Sequence, residues 1–206
     1  MKIITKKDAF ENLKKYIGKD LRSLALEYKI TTFETGKQNK GWKGLILERL
    51  AGLDNNCSKD PNGDTFELKS VSFHYVKDIL KPKETMAINM INPSELQEQS
   101  FFESHCWNKL KSMIFCAVMW HGKNSESAEL LKVSSLEYLI DDPLIIEIKN
   151  DYDFIRDKLI NYGFKSLTGK DGIWIQARTK GAGHGSISRA FYAKKSLVKK
   201  IFEDSK

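Results

Sequence analysis

The chain is poor in the residues that staple or punctuate a fold. Its three cysteines, Cys57, Cys106 and Cys116, are odd in number and never spaced as CxxC, which argues against a disulfide framework or a cysteine zinc site and points to a reduced compartment. There are only four prolines, no internal repeat and no low-complexity linker. No domain boundary shows, so the expectation is a single domain over residues 1–206, with a small helical lobe at its N-terminus. No apolar run approaches the ~20 residues that cross a bilayer, so no membrane partner is expected. The start, "MKIITKKDAFENLKKY", carries charge where an export signal has its apolar core, and a cytoplasmic location is expected. His74, His105 and His121 have no metal-ligand spacing, and no Cys–His arrangement supports a thiol nucleophile.

Of the 206 residues, 41% are hydrophobic and 30% charged, ordinary values for a globular domain with a substantial core. The net charge of +7 is unevenly spread. Arg178, Lys180, Arg189, Lys194, Lys195, Lys199 and Lys200 follow one another with no acid between them. Such a run is either the footprint of a phosphate backbone or one solvated helix face.

Helical spacing marks "DAFENLKKYIG", with Asp8 as N-cap and Gly18 as stop, and "DLRSLALEYK" after it. A third helix, "KGWKGLILERLAG", puts Trp42, Leu45, Ile46 and Leu50 on a buried stripe and ends at Gly52, leaving Glu48 on its flank. The polar segment from Leu53 to Gly63 leads into the strand "TFELKSVSF". "ETMAINMI" and "SMIFCAVMW" are nearly continuous apolar runs and are expected to be central strands; "ELLKVSSL" is another strand. "SLEYLIDDPLIIEIKNDYDFIRDKLINYG" reads as a helix broken at Pro143 and a longer one ending at Gly163. "IWIQARTK" is a strand and "AKKSLVKKIFED" a basic helix. The whole is an α+β or layered α/β/α domain.

In a strand, alternate side chains share a side, so Glu67 and Lys69 point together while Phe66 and Leu68 point away. The acid and the base are either a surface ion pair or half of a site that hydrolyses a phosphodiester. Such a site needs carboxylates, because Mg²⁺ prefers oxygen, and a cation that stabilises charge near the attacking water. Asp60, returned by the "PNG" turn, suits a second carboxylate better than Asp64, whose odd offset from Glu67 puts it on the wrong face. Glu48 is a third carboxylate or simply an exposed helix residue. The glycines of "KGAGHGS" lack the GxxxxGK[ST] pattern and a dinucleotide-binding frame, so that run reads as a flexible loop and not as a nucleotide site; His184 within it reads a base or phosphate, or is an ordinary loop histidine.

"KGWKGLILERLAG" followed by "DPNGDTFELKS" resembles the MutH and Sau-type GATC endonuclease family, a branch of the PD-(D/E)XK nucleases. "SHCWNKLKSMIF", "ARTKGA" and "RAFYAKK" carry the resemblance from Lys40 nearly to the C-terminus. It implies a restriction-endonuclease-like fold, a central mixed β-sheet flanked by helices. It implies that Asp60 and Glu67 bind Mg²⁺, with Mn²⁺ able to substitute and Glu48 assisting, that Lys69 activates water, and that Lys109 lies near the scissile phosphate. Lys40 matches a phosphate contact, Arg178, Lys180 and Gly181 a loop that reads the major groove, and Tyr192 the tyrosine that senses adenine methylation. Lys194 and Lys195 follow as backbone contacts. Ala87 replaces the family's aromatic residue, which bears on the methylation response.

The activity implied is Mg²⁺-dependent cleavage of double-stranded DNA at GATC or a related site, leaving a 5′-phosphate. The Lys-, Ile- and Asn-rich composition leans toward a type II restriction enzyme, acting as a homodimer on DNA or by sequential nicks, or toward one half of a two-domain enzyme. The alternative is a mismatch-repair nicking enzyme that works with a MutL-like partner. A non-cleaving DNA-binding module is a further alternative, disfavoured because carboxylates facing phosphate would serve no purpose in it.

Overall fold

The computed structural model describes residues 4–30, 33–34, 37–38, 41–53, 66–122, 127–180 and 188–204. In chain order the elements are α1 (Lys6–Lys14), α2 (Leu21–Glu27), β1 (Phe33–Glu34), β2 (Lys37–Gln38), α3 (Trp42–Ala51), β3 (Glu67–Val76), β4 (Ile79–Pro82) and β5 (Met86–Met90). They continue with α4 (Pro93–Glu98), α5 (His105–Leu110), β6 (Ser112–Met119), β7 (Leu130–Glu137), α6 (Pro143–Tyr162), β8 (Ile175–Thr179), β9 (Arg189–Ala193) and α7 (Lys195–Asp204). The chain divides into two compact units, one built from residues 1–84, 112–136 and 204–206, the other from 85–111 and 137–203. This is the mixed α/β architecture of a restriction-endonuclease-like fold, with a mixed sheet flanked by helices.

In the first unit the sheet order is β4-β3-β6-β7, with β3 parallel to β6 and antiparallel to β4. All eight residues of β6 are buried, as its uninterrupted apolar run predicts for an interior strand. Phe66 and Leu68 join Ile114, Cys116 and Val118 in one core with Leu13, Leu21, Trp42, Ile46 and Leu50. Three helices therefore cover one sheet face, and this burial pins the register of β3, because a slip of one residue would drive Glu67 and Lys69 into hydrocarbon.

Two helix details differ from expectation. The N-cap of α1 is Thr5, whose hydroxyl accepts the Asp8 N–H; Asp8 sits one turn in, where its charge still favours the helix N-terminus. On α3 the buried stripe takes in Leu47 and Ala51 and leaves Leu45 only partly covered. At 3.6 residues per turn Leu45 lies far round the helix from the centre of that stripe. Gly52 closes α3 in the left-handed region at φ 86°, as anticipated from a terminal glycine.

The second unit has the antiparallel sheet β5-β9-β8. Here β5 is an edge strand, not the central one its apolar run suggested. Burial alternates along it and its register shifts between Ala87 and Asn89, so one face only is covered, and a bulge of this kind is typical of an edge. The other long helix, α6, begins at Pro143 and ends at Gly163 as expected. The stretch before Pro143 is not helical: the ladder of β7 continues through Glu137, and the Tyr138 N–H bonds the Lys111 carbonyl. Tyr152 of α6 stacks on Phe191 of β9 with ring centroids 5.3 Å apart. No helix among the described residues is long and apolar enough to cross a membrane.

Candidate active site

The acid and base of β3 meet. Lys69 Nζ lies 2.7 Å from Glu67 Oε1, with side-chain exposures of 17% and 4%. This is no surface ion pair. A carboxylate so far removed from water carries a desolvation cost that only close opposite charge and hydrogen bonding offset. The register pairs Glu67 with Met113 and Lys69 with Phe115, so both polar groups stand on the sheet face turned away from α1, α2 and α3.

Glu48 is half-buried on α3, a helix packed in the same unit as β3. Asp60, which completes the expected carboxylate set, lies outside the described residues, as do its rival Asp64 and Lys40, Gly181 and His184. Among the described residues no three His, Cys, Asp or Glu side chains gather into a metal-binding group. Glu48 and Glu67 are oxygen donors, the chemistry that suits a hard divalent cation. Cys106 and Cys116 are fully buried, and burial pushes both thiols well above the ordinary cysteine range, which removes them as nucleophiles.

Lys109 lies in the second unit, half-buried on α5, beside Lys111, whose ammonium donates to Asn108 Oδ1 at 2.9 Å. On the sheet of that unit, Arg178 lies over the ring of Tyr192, 5.1 Å from its centroid, and donates to Thr85 Oγ1 at 3.0 Å. Gln176, Tyr192 and Ala87 sit side by side across the three strands. With a methyl at position 87, the guanidinium is what stacks on Tyr192, an arrangement that orders both side chains. Thr85 was not legible as part of this group, because it is 93 residues from Arg178 and reaches it only through the β5–β9–β8 pairing.

Lys180 is exposed just beyond β8, and its N–H bonds the Ser188 carbonyl. A hollow of about 480 Å³ beside β8 is lined by Lys165, Arg178 and Arg189 together with Thr168, Thr179 and Gln176, and by no acid among the described residues. Lys194 donates to the Gly172 carbonyl and so ties the end of β9 to the preceding loop. Lys195 is exposed at the start of α7.

A buried glutamate paired with a lysine two residues on, set on a strand of a mixed sheet beside a helix that carries another glutamate, belongs to the PD-(D/E)XK class of restriction-endonuclease-like proteins. Comparison with known proteins points the same way. Residues 50–151 match the family model for the DNA mismatch repair enzyme MutH. A DNA mismatch repair protein MutH of Vibrio campbellii is 24% identical over 198 residues, covering 94% of this chain and 85% of that protein. Its Escherichia coli counterpart is 24% identical over 180 residues, 86% of this chain and 76% of that one; that of Vibrio cholerae is 23% identical over 201 residues, 96% and 88%. Residues 50–151 therefore carry a MutH-family domain. The matched span takes in Asp60, Glu67, Lys69 and Lys109; Glu48, Arg178 and Tyr192 lie beyond it.

Proposed function

We propose that this protein is a DNA endonuclease of the MutH type, which nicks one strand at GATC or a related site. The observation that carries the reading is the buried Glu67–Lys69 pair on β3, inside a span that matches the mismatch repair enzyme. The type II restriction role that the composition suggested gains nothing from the relatives, which are all named as repair proteins. One such site cuts one strand per encounter, so a monomer suffices for nicking. A MutL-like partner belongs to this reading.

Glu67, Asp60 and Glu48 would hold Mg²⁺, or Mn²⁺ in its place. When bound, the ion supplies Lewis-acid polarisation of a phosphoryl oxygen. The chain's own residues do the rest. Glu67 holds the Lys69 ammonium at a fixed point on the rigid strand, where it orients the attacking water and stabilises negative charge that develops at phosphorus. Inversion at phosphorus then leaves a 5′-phosphate and a 3′-hydroxyl. Lys109 approaches the backbone beside the scissile bond. Arg178 and Lys180 donate to guanine acceptors in the major groove, Tyr192 senses adenine methylation, and Lys195 contacts phosphate, which positions the duplex without reading it.

Supercoiled plasmid containing GATC, incubated with protein and Mg²⁺, is expected to accumulate as nicked circles. The hemimethylated site should be cut faster than the fully methylated one. Linear product would restore the restriction reading, and plasmid that stays supercoiled under every condition would overturn nuclease activity itself. In binding assays Arg178→Ala should weaken a GATC duplex by about 1–3 kcal/mol and flatten its advantage over a scrambled duplex. Lys195→Ala should weaken both duplexes alike.

A further inference from the structure

Lys43 stands in the first turn of α3, where a cation opposes the helix dipole and the Gly41 N-cap offers no side-chain acceptor. It is also half-buried, and desolvation holds its ammonium below the ordinary lysine range despite the opposing charge of Glu84. Neither local helix physics nor solvation favours lysine there. Its partner explains the placement. Lys43 Nζ donates to Ser72 Oγ at 2.7 Å, and the Ser72 N–H donates in turn to Glu84 Oε1 at 3.3 Å. Ser72 is 2% exposed and lies on β3, five residues past Glu67 and three past Lys69. Ser72 shares the sheet face of Leu68, the face on which α3 packs. The contact thus joins the helix that carries Glu48 to the strand that carries Glu67 and Lys69. Hydrocarbon packing between the two elements resists separation but is weakly directional; a charge-assisted hydrogen bond at one point fixes where the helix sits along the strand.

We infer that Lys43 is a positioning residue: anchored on Ser72, it sets the place of α3 along β3 and keeps the Glu48 carboxylate, brought past the end of β3 that β4 does not reach, in register with the Glu67–Lys69 pair on the other sheet face. This rests on the nuclease reading for its catalytic consequence, but the placement of the carboxylates can be measured without DNA. In a double-mutant cycle, Lys43→Met and Ser72→Ala should each weaken Mn²⁺ binding, read by titration calorimetry, about tenfold. The double variant should bind no more weakly than either single one, because both remove the same contact. Nicking at saturating DNA and metal should fall about tenfold or more in each, with the affinity for metal-free DNA unchanged. Lys43→Arg, which keeps a charged donor, should recover most of both losses. Thermal midpoints taken alongside identify a variant that has lost its fold, and Ser72→Ala, a small truncation, then carries the test. Variants that bind Mn²⁺ like wild type, or losses that multiply in the double variant, would overturn the inference. A wild type that binds Mn²⁺, with the cycle coupled as stated, but never nicks would overturn the nuclease reading and uphold the positioning role. A wild type that does neither overturns both.

Discussion

Lys69→Met is expected to abolish nicking to within measurement, a loss of about a thousandfold, the scale on which removing one preorganised charge-stabilising group acts. The difficulty is to separate that from unfolding. Glu67 is 4% exposed on its side chain and its oxygen is 2.7 Å from the ammonium, and removing one partner of a buried pair costs about 3–5 kcal/mol because the other charge is stranded. Lys69→Met alone should therefore lower both stability and rate. Combining it with Glu67→Gln removes both charges and retains the shapes. The double variant should regain most of the stability, since replacing a buried pair whole is close to neutral, while nicking stays lost. Urea denaturation and the plasmid assay on wild type, Lys69→Met, Glu67→Gln and the double variant decide the matter. A double variant that nicks at the normal rate would sink the assignment of both residues, whereas one that stays unstable would show that the pair holds the fold as well.

Asp151→Ala should destabilise the second unit by about 4 kcal/mol, an unusually large effect for one polar side chain. Its carboxylate, buried in α6, accepts the N–H groups of Ile173, Trp174 and Ile175 at 2.7, 2.6 and 2.9 Å. Three donors at the entrance to β8 have no replacement partner once it is gone. Gly172 turns in the left-handed region at φ +71°, and a Cβ there would meet the Ile175 carbonyl at 2.1 Å and the Asp151 carboxyl carbon at 2.9 Å, so the loop is built around this acid. Asp151→Asn keeps one oxygen and should lose about half as much, since its amide nitrogen must face at least one of the N–H groups. Amide exchange is the cleaner measure. Protection should drop in β8 and β9 and persist in α3 and β3; an undisturbed β8 would show that the loop does not depend on Asp151.

The pairing of Glu67 with Lys69 was legible in the sequence because strand parity is a local rule and Phe66 and Leu68 declare which face is apolar. The glycines that end α3 and α6 were legible for the same kind of reason. The position of β5 was not. Its apolar run looks like that of β6, but whether a strand is flanked on one side or two depends on partners brought from β9, far along the chain. The segment before Pro143 has helical spacing, yet β6 claims its backbone for the ladder, and tertiary pairing overrode local preference.

The sequence by itself determined the periodic faces, the stops and the carboxylate–lysine spacing that resembles the MutH family, since each depends only on neighbours within a turn or a few strand residues. Only the tertiary structure decided that the Glu67–Lys69 pair is buried, that Lys43 reaches Ser72, that Thr85 holds Arg178 and that Asp151 caps the entrance to β8. Each of these joins groups more than twenty residues apart in sequence or depends on what covers a face, and no local pattern encodes which distant donor will meet a given acceptor once the helices and sheets have packed.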